Sequence, residues 1–218
     1  IFQLDQNNYI KFCPERGGII TNWVSDGNEI LYFDEKRFME NTKSIRGGIP
    51  ILFPICGNLN ASSSVFGKDH YQLMQHGFAR DLNWQYRLND SDESLCLFLN
   101  QSQETKKYYP FDFELRIDVT LKIKCLKFEI TIKNNTDIAM PINFGLHPYF
   151  NVSDFGNLDF IDIPINCQNQ ESNILSNTFD ELKKINLGVD LLMYSSGRSA
   201  FRDKALKRQV TLNHPYPF

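Results

Sequence analysis

The stretch FDFELRIDVTLKIKCLKFEITIKN, residues 111–134, alternates apolar and polar side chains almost without a break. Phe111, Phe113, Leu115, Ile117, Val119, Leu121 and Ile123 share one parity, and in an extended chain a period of two lines them along a single face. After a turn near Lys124–Cys125 the alternation resumes at Leu126, Phe128, Ile130 and Ile132. The expected product is a long antiparallel hairpin with one buried face.

Shorter stretches with strand character are Tyr9–Cys13, Gly18–Val24, Ile30–Phe33, Trp84–Leu88, Leu95–Asn100, Ile142–Phe150, Leu158–Ile163 and Arg208–Leu212. Helical spacing is weak throughout, with single turns expected only at Asp34–Met39 and Phe179–Ile185. Many strands and almost no helix read as an all-β sandwich or barrel. The segments richest in small polar residues, 58–70 and 169–181, are bounded by apolar runs and read as surface loops, the first long enough to be a lid candidate. With no linker in view, one domain over 1–218 is expected. In such a fold chemistry comes from loops and strand ends.

Composition removes several classes of function. A net charge of −3 is spread along the chain, and the only basic clusters are pairs such as Lys106–Lys107 and Lys183–Lys184. A nucleic-acid binder needs a basic stripe, so no nucleic-acid partner is expected. The longest apolar run, IPILFPIC at 49–56, is broken by prolines and far short of the roughly 18 residues of a membrane span. Five cysteines, at 13, 56, 96, 125 and 167, are odd in number and lack a CxxC, which argues against a disulfide framework and for a reducing, cytoplasmic setting. The chain opens at Ile1 without methionine and stops at HPYPF, so it reads as a piece whose signals and further residues lie outside it.

Residues 44–57, SIRGGIPILFPICG, make a poor helix and a poor central strand. They are not a phosphate loop or a dinucleotide fingerprint either, which need GxxxxGK[ST] or GxGxxG between a strand and a helix. Arg46 before two glycines suits a guanidinium offered from a tight turn to an oxygen-rich ligand, though a surface ion pair is equally compatible with the residue alone. In HGFARDLNW (76–84), His76 is followed by a glycine and by Arg80, with Phe78 and Trp84 as flat apolar faces of the kind that hold a sugar ring. His147, before Pro148, is biased toward an extended, rigidly held backbone. His70 and His76 are six residues apart with no third ligand at short spacing, so no metal is expected. No GxSxG elbow occurs.

Taken in order, RGGIPILFPICG (46–57), HGFARDLNW (76–84), the hairpin at 111–134, FGLHPYFNVSD (144–154) and LGVDLLMY (187–194) resemble the aldose 1-epimerase, or galactose mutarotase-like, family, most closely its hexose-6-phosphate mutarotase branch. The resemblance implies an antiparallel β-supersandwich and interconversion of the α and β anomers of an aldose by general acid and base, without cofactor or metal. It implies a small sugar or sugar phosphate as partner and says nothing of oligomeric state. Carried across by position, His147 falls at the acid that protonates the ring oxygen. His76, Arg80 and Arg46 fall at ligand-binding positions, and Asp190 at a carboxylate that hydrogen-bonds sugar hydroxyls.

Three departures stand beside the match. The family's general base is a glutamate near its C-terminus, and it is expected beyond Phe218. Leu191 stands where the phosphate branch often carries arginine, and Pro148 where it often carries threonine. Two other functions stay open: a non-catalytic carbohydrate-binding protein on the same fold, and a metal-dependent sandwich enzyme.

Overall fold

The computed structural model describes residues 1–40, 42–59, 63–66, 69–89 and 94–215, with backbone alone at 63–66 and 69–70. The middle of the expected lid, 60–62 and 67–68, lies outside the described residues. The chain divides into two compact units, Ile1–Asn151 and Val152–Phe218. Among the described residues no helix is long and apolar enough to cross a membrane.

The first unit runs β1 (Phe2–Asp5), β2 (Asn8–Cys13), β3 (Ile19–Ser25), β4 (Asn28–Glu29), α1 (Glu35–Phe38), β5 (Ile51–Leu52), β6 (Ser63–Phe66), β7 (Asp69–Gln72), β8 (Gln85–Asn89), β9 (Ser94–Asn100), β10 (Phe113–Lys122), β11 (Cys125–Asn134) and β12 (Gly145–Leu146). β1 to β4 form one antiparallel sheet in chain order, and β11-β10-β9-β8 a second. β5 pairs with β12 and β6 with β7.

The hairpin at 111–134 is β10 and β11, in unbroken register from Phe113 opposite Asn134 to Lys122 opposite Cys125. Lys124 takes φ +60° in the two-residue turn, a backbone suited to the twist of a tight hairpin. Phe113, Leu115, Ile117, Val119 and Leu121 are wholly buried, as the alternation requires. They pack with Leu95, Leu97 and Leu99 of β9 and with Phe2, Ile10 and Ile20 of the first sheet, so both sheets contribute to one apolar core in the manner of a sandwich. β11 stands at the edge of its sheet; its apolar parity is only half-covered, and Ile130 is 38% exposed.

Two stretches with strand character resolve differently. Ile30–Phe33 makes only isolated bridges, Leu31 to Phe150 and Phe33 to Gly47. Of Ile142–Phe150, only Gly145–Leu146 is regular strand. Prolines at 50, 54, 141 and 148 cannot donate to a ladder, so the pairing continues beyond β12 as single bonds. Asn143 donates to the Pro54 carbonyl (2.8 Å), His147 to that of Pro50 (3.0 Å) and Tyr149 to that of Gly48 (2.9 Å). The 143–149 ribbon is thereby laid antiparallel along 48–54.

The second unit holds β13 (Leu158–Ile161), β14 (Asn166–Asn169), β15 (Ile174–Asn177), α2 (Thr178–Leu182), β16 (Leu191–Leu192), β17 (Arg198–Asp203) and β18 (Arg208–Asn213). They form two three-stranded sheets, β13-β17-β18 and β15-β14-β16. The fully buried Asp203 accepts from the Ser153 amide (2.7 Å), the Ser153 hydroxyl (2.8 Å) and the Leu206 amide (3.0 Å). Burial pushes its carboxyl up, but these donors prevail and hold it below the usual carboxylate value. A carboxylate held low in the fold stabilises it in full above the unfolded-state value and loses that contribution as pH falls through the folded one. Acidification through that range is expected to weaken hydrogen-exchange protection of β17 and β18, and Asp203→Asn to remove most of that pH dependence.

Candidate functional site

Arg46 is brought to the surface by the two glycines after it. Gly47 (φ +114°) and Gly48 (φ +66°) lie so close to neighbouring backbone that a Cβ would stand 2.5 Å from Tyr32 O in the first case and 2.5 Å from Ile20 O in the second. Only glycine permits this approach and this backbone, which answers why an apolar run should open with RGG. The Arg46 side chain is exposed, and its Nη1 donates to the Tyr149 hydroxyl at 3.4 Å.

His147 and Tyr149 sit two residues apart on the extended ribbon, so their side chains share a face. Their rings stack, with centroids 4.9 Å apart and planes inclined by 27°. His147 is exposed. Among the described residues neither of its ring nitrogens has a hydrogen-bond partner, and its orientation comes from Tyr149 and from the backbone bond to Pro50.

The third contributor is HGFAR. His76 (φ +66°) and Gly77 (φ +72°) are successive left-handed residues, the former a type that tolerates this region better than most. Gly77 bridges to Phe53, and Phe78 and Ala79 both donate to the Phe53 carbonyl. A 3₁₀ turn at Ala79–Asp81 then presents Arg80, whose Nη2 donates to Gln75 O at 2.9 Å and whose Nε lies 3.6 Å from Asp81. His76 is tied to Gly57 twice: its amide donates to Gly57 O (2.8 Å), and its Nδ1 accepts from the Gly57 amide (2.9 Å).

These segments enclose a cavity of about 120 Å³, lined among others by Ser44, Arg46, His76, Arg80, His147 and Tyr149. The His76 and His147 ring centroids are 6.0 Å apart, edge to face. Two guanidiniums and two imidazoles face the cavity, and among the described residues no carboxylate lines it. Such a lining favours an anionic or polyhydroxylated ligand. A larger hollow of about 610 Å³ in the second unit, beside Ile165, Leu175 and Tyr194, has no carboxylate, histidine or cation among the described residues that line it. Among the described residues no group of three His, Cys, Asp or Glu could hold a metal.

Of the sequence-based site residues, Arg46, His76, Arg80 and His147 therefore converge. Asp190 belongs to the second unit, where it is exposed and its carbonyl accepts from the Gln170 amide at 2.8 Å, just before β16. Phe78 and Trp84 are not among the described residues that line the cavity. Trp84 is 2% exposed, with its indole N–H on Ala79 O, and Phe78 packs edge-on to Phe53 within the core aromatic cluster. The buried Trp84 and half-buried Phe78 pack into the apolar core beside the site instead. Two participants escape the sequence reading. Tyr149 has a signal, its i+2 spacing from His147 on an extended chain, whereas the amide of Gly57 has none.

A family model described as aldose 1-epimerase matches residues 2–178. A protein of Escherichia coli K12 provisionally named glucose-6-phosphate 1-epimerase is 28% identical over 217 residues, covering 92% of this chain and 66% of its own length. A protein of Cenchrus ciliaris with the same provisional name is 33% identical over 150 residues, covering 63% of this chain and 42% of its own length. The chain thus spans less than two thirds of either relative. Among solved structures, the Slr1438 protein of Synechocystis sp. PCC 6803 superposes with a TM-score of 0.87 at 34% identity, over 95% of this chain and 74% of that one. A galactose mutarotase-like protein from Lactobacillus casei superposes with a TM-score of 0.75 at 19% identity, over 98% of this chain and 78% of that one, and shares the fold.

Proposed function

This chain belongs to the aldose 1-epimerase family, and from that premise we propose that its cavity binds a hexose or hexose 6-phosphate and interconverts the two anomers. The observation that carries the reading is the convergence of Arg46, His76, Arg80 and His147 on one cavity. In the reaction a base takes the proton from the anomeric hydroxyl, the bond from C1 to the ring oxygen breaks, and its electron pair leaves on that oxygen. His147 gives the oxygen a proton as the bond breaks, so no alkoxide is released. The open aldehyde turns about C1–C2 and closes by the reverse steps.

His147 suits the acid because no protein hydrogen bond occupies its ring nitrogens among the described residues, while Tyr149 stacking keeps the ring oriented. Arg46 and Arg80 supply charge-assisted hydrogen bonds to hydroxyl or phosphate oxygens. The base is a glutamate in the family pattern, and among the described residues that line the cavity there is none. The guanidinium and imidazole groups of Arg46, His76 and Arg80 that line the cavity would equally serve a second reading, sugar binding without turnover.

Exchange NMR between the anomers of glucose 6-phosphate and of glucose separates the two readings: catalysis supports the first, binding without exchange the second. Losing one charge-assisted hydrogen bond costs about 1.5–3 kcal/mol, or roughly 10–100-fold in affinity. Arg46→Ala is therefore expected to raise KM for glucose 6-phosphate by about that factor and KM for glucose much less. An equal effect on both sugars would assign Arg46 to hydroxyls rather than phosphate.

A further inference from the structure

Arg46 and His147 stand on different segments of the chain, and Tyr149 touches both. Its ring stacks on the His147 imidazole, with centroids 4.9 Å apart and planes inclined by 27°. Its hydroxyl accepts from Arg46 Nη1 at 3.4 Å. The first contact needs a flat face. The second needs an acceptor at the far end of that face, because a guanidinium can only donate. Tyrosine supplies the two together.

The main chain holds Tyr149 on both sides. Its amide donates to Gly48 O (2.9 Å) and its carbonyl accepts from the Tyr32 amide (2.9 Å), while the Gly48 amide donates to Tyr32 O (2.7 Å). Three segments of the first unit are thereby tied at one point. Tyr149 is half-buried there, whereas the side chains of Arg46 and His147 are exposed. An exposed arginine has many rotamers to lose when it meets a ligand, and an exposed imidazole can turn about its own bonds.

We propose that Tyr149 is a positioning residue whose two ends serve two different steps: the hydroxyl holds the Arg46 guanidinium toward the ligand, and the ring holds the His147 imidazole in place for proton transfer. The inference rests on the functional reading above for what Arg46 and His147 do, and on the stack and the hydrogen bond for how they are held. Because the two ends act on different groups, their losses should fall on different constants. A guanidinium that is not held in advance weakens binding. An imidazole that is not held slows the chemical step, since the proton must start from the right place.

Substitutions at 149 separate the ends. Tyr149→Phe keeps the face and removes the acceptor; it is expected to raise KM for glucose 6-phosphate about threefold while lowering kcat by less than about twofold. Tyr149→Leu and Tyr149→Met remove both, and each is expected to add a fall in kcat of about tenfold that Tyr149→Phe does not show. Equal kcat in the Phe and Leu enzymes would overturn the role of the ring. A double-mutant cycle shows whether the hydroxyl acts through Arg46. In an Arg46→Ala background, Tyr149→Phe is expected to change KM no further; an undiminished effect there would place the hydroxyl on the sugar itself and overturn its positioning role.

Proton NMR reads the stack without substrate, at a single pH, with the His147 ring signals assigned by their loss in His147→Asn. They are expected to hold their position in Tyr149→Phe and to move downfield in Tyr149→Leu, where the ring current of residue 149 is gone. Signals that stay in place in the Leu protein would show that the ring does not hold His147. Should the protein exchange no anomers, the functional reading fails separately. The His147 signals, and the same cycle with Arg46 read as Kd for glucose 6-phosphate, still decide where Tyr149 acts.

Discussion

His147→Asn is expected to lower kcat for anomer exchange by about 10²–10⁴-fold, the range general acid catalysis contributes. Asparagine keeps a polar side chain of similar girth but has no proton to transfer near neutral pH. Since His147 is exposed and its ring contacts are the stack on Tyr149 and the edge of His76, stability should change by less than about 1 kcal/mol, as for most surface substitutions. Single-turnover exchange alongside a thermal melt separates the two effects. A variant that folds normally and exchanges anomers at the parental rate would remove His147 from the role of acid.

The second large effect concerns the fold under the site. Gly77→Ala would set a methyl 2.2 Å from the Phe53 carbonyl oxygen at a φ of +72°. The left-handed backbone costs about 1–3 kcal/mol for a residue with a Cβ, and relieving the overlap costs about 1–3 more. A loss on the order of 4 kcal/mol is expected in chemical denaturation, a large share of the stability of a domain this size. Any chain that still folds must part the Phe53–Gly77 bridge, which carries His76 and Arg80 away from Arg46. Ligand affinity should therefore fall further than for either arginine replaced alone. Wild-type affinity in a folded Gly77→Ala protein would show that the bridge does not position the site.

How much of this is legible in the sequence depends on how local the cause is. The hairpin at 111–134 can be read residue by residue because its period and its turn are both written within 24 positions. The single helical turns at Asp34–Met39 and Phe179–Ile185 appear as α1 and α2 within a few residues, each started by a capping side chain, Asp34 and Asn177. β14 and β15, NCQN and ILSN, are too short and polar to stand out, and take their form from each other. Arg46, His76, Arg80 and His147 are legible as chemistry through motif order. Tyr149 is legible only once the ribbon is known to be extended. Trp84 misleads because an aromatic beside a histidine looks the same in sequence whether it faces a ligand or the core. Gly57 contributes a main-chain N–H, which every residue but proline possesses, so no residue type marks it.

The ribbon at 143–149 has a kinetic consequence. Arg46 and Tyr149 touch across a sequence separation of 103 residues, and the β5–β12 pairing beside them closes a loop of similar length. Closing such a loop costs entropy before any contact repays it. The β10–β11 hairpin, by contrast, closes through a two-residue turn. A refolding chain should regain its hairpin well before it owns a cavity, so competence to bind sugar marks one of the last steps in folding of the first unit.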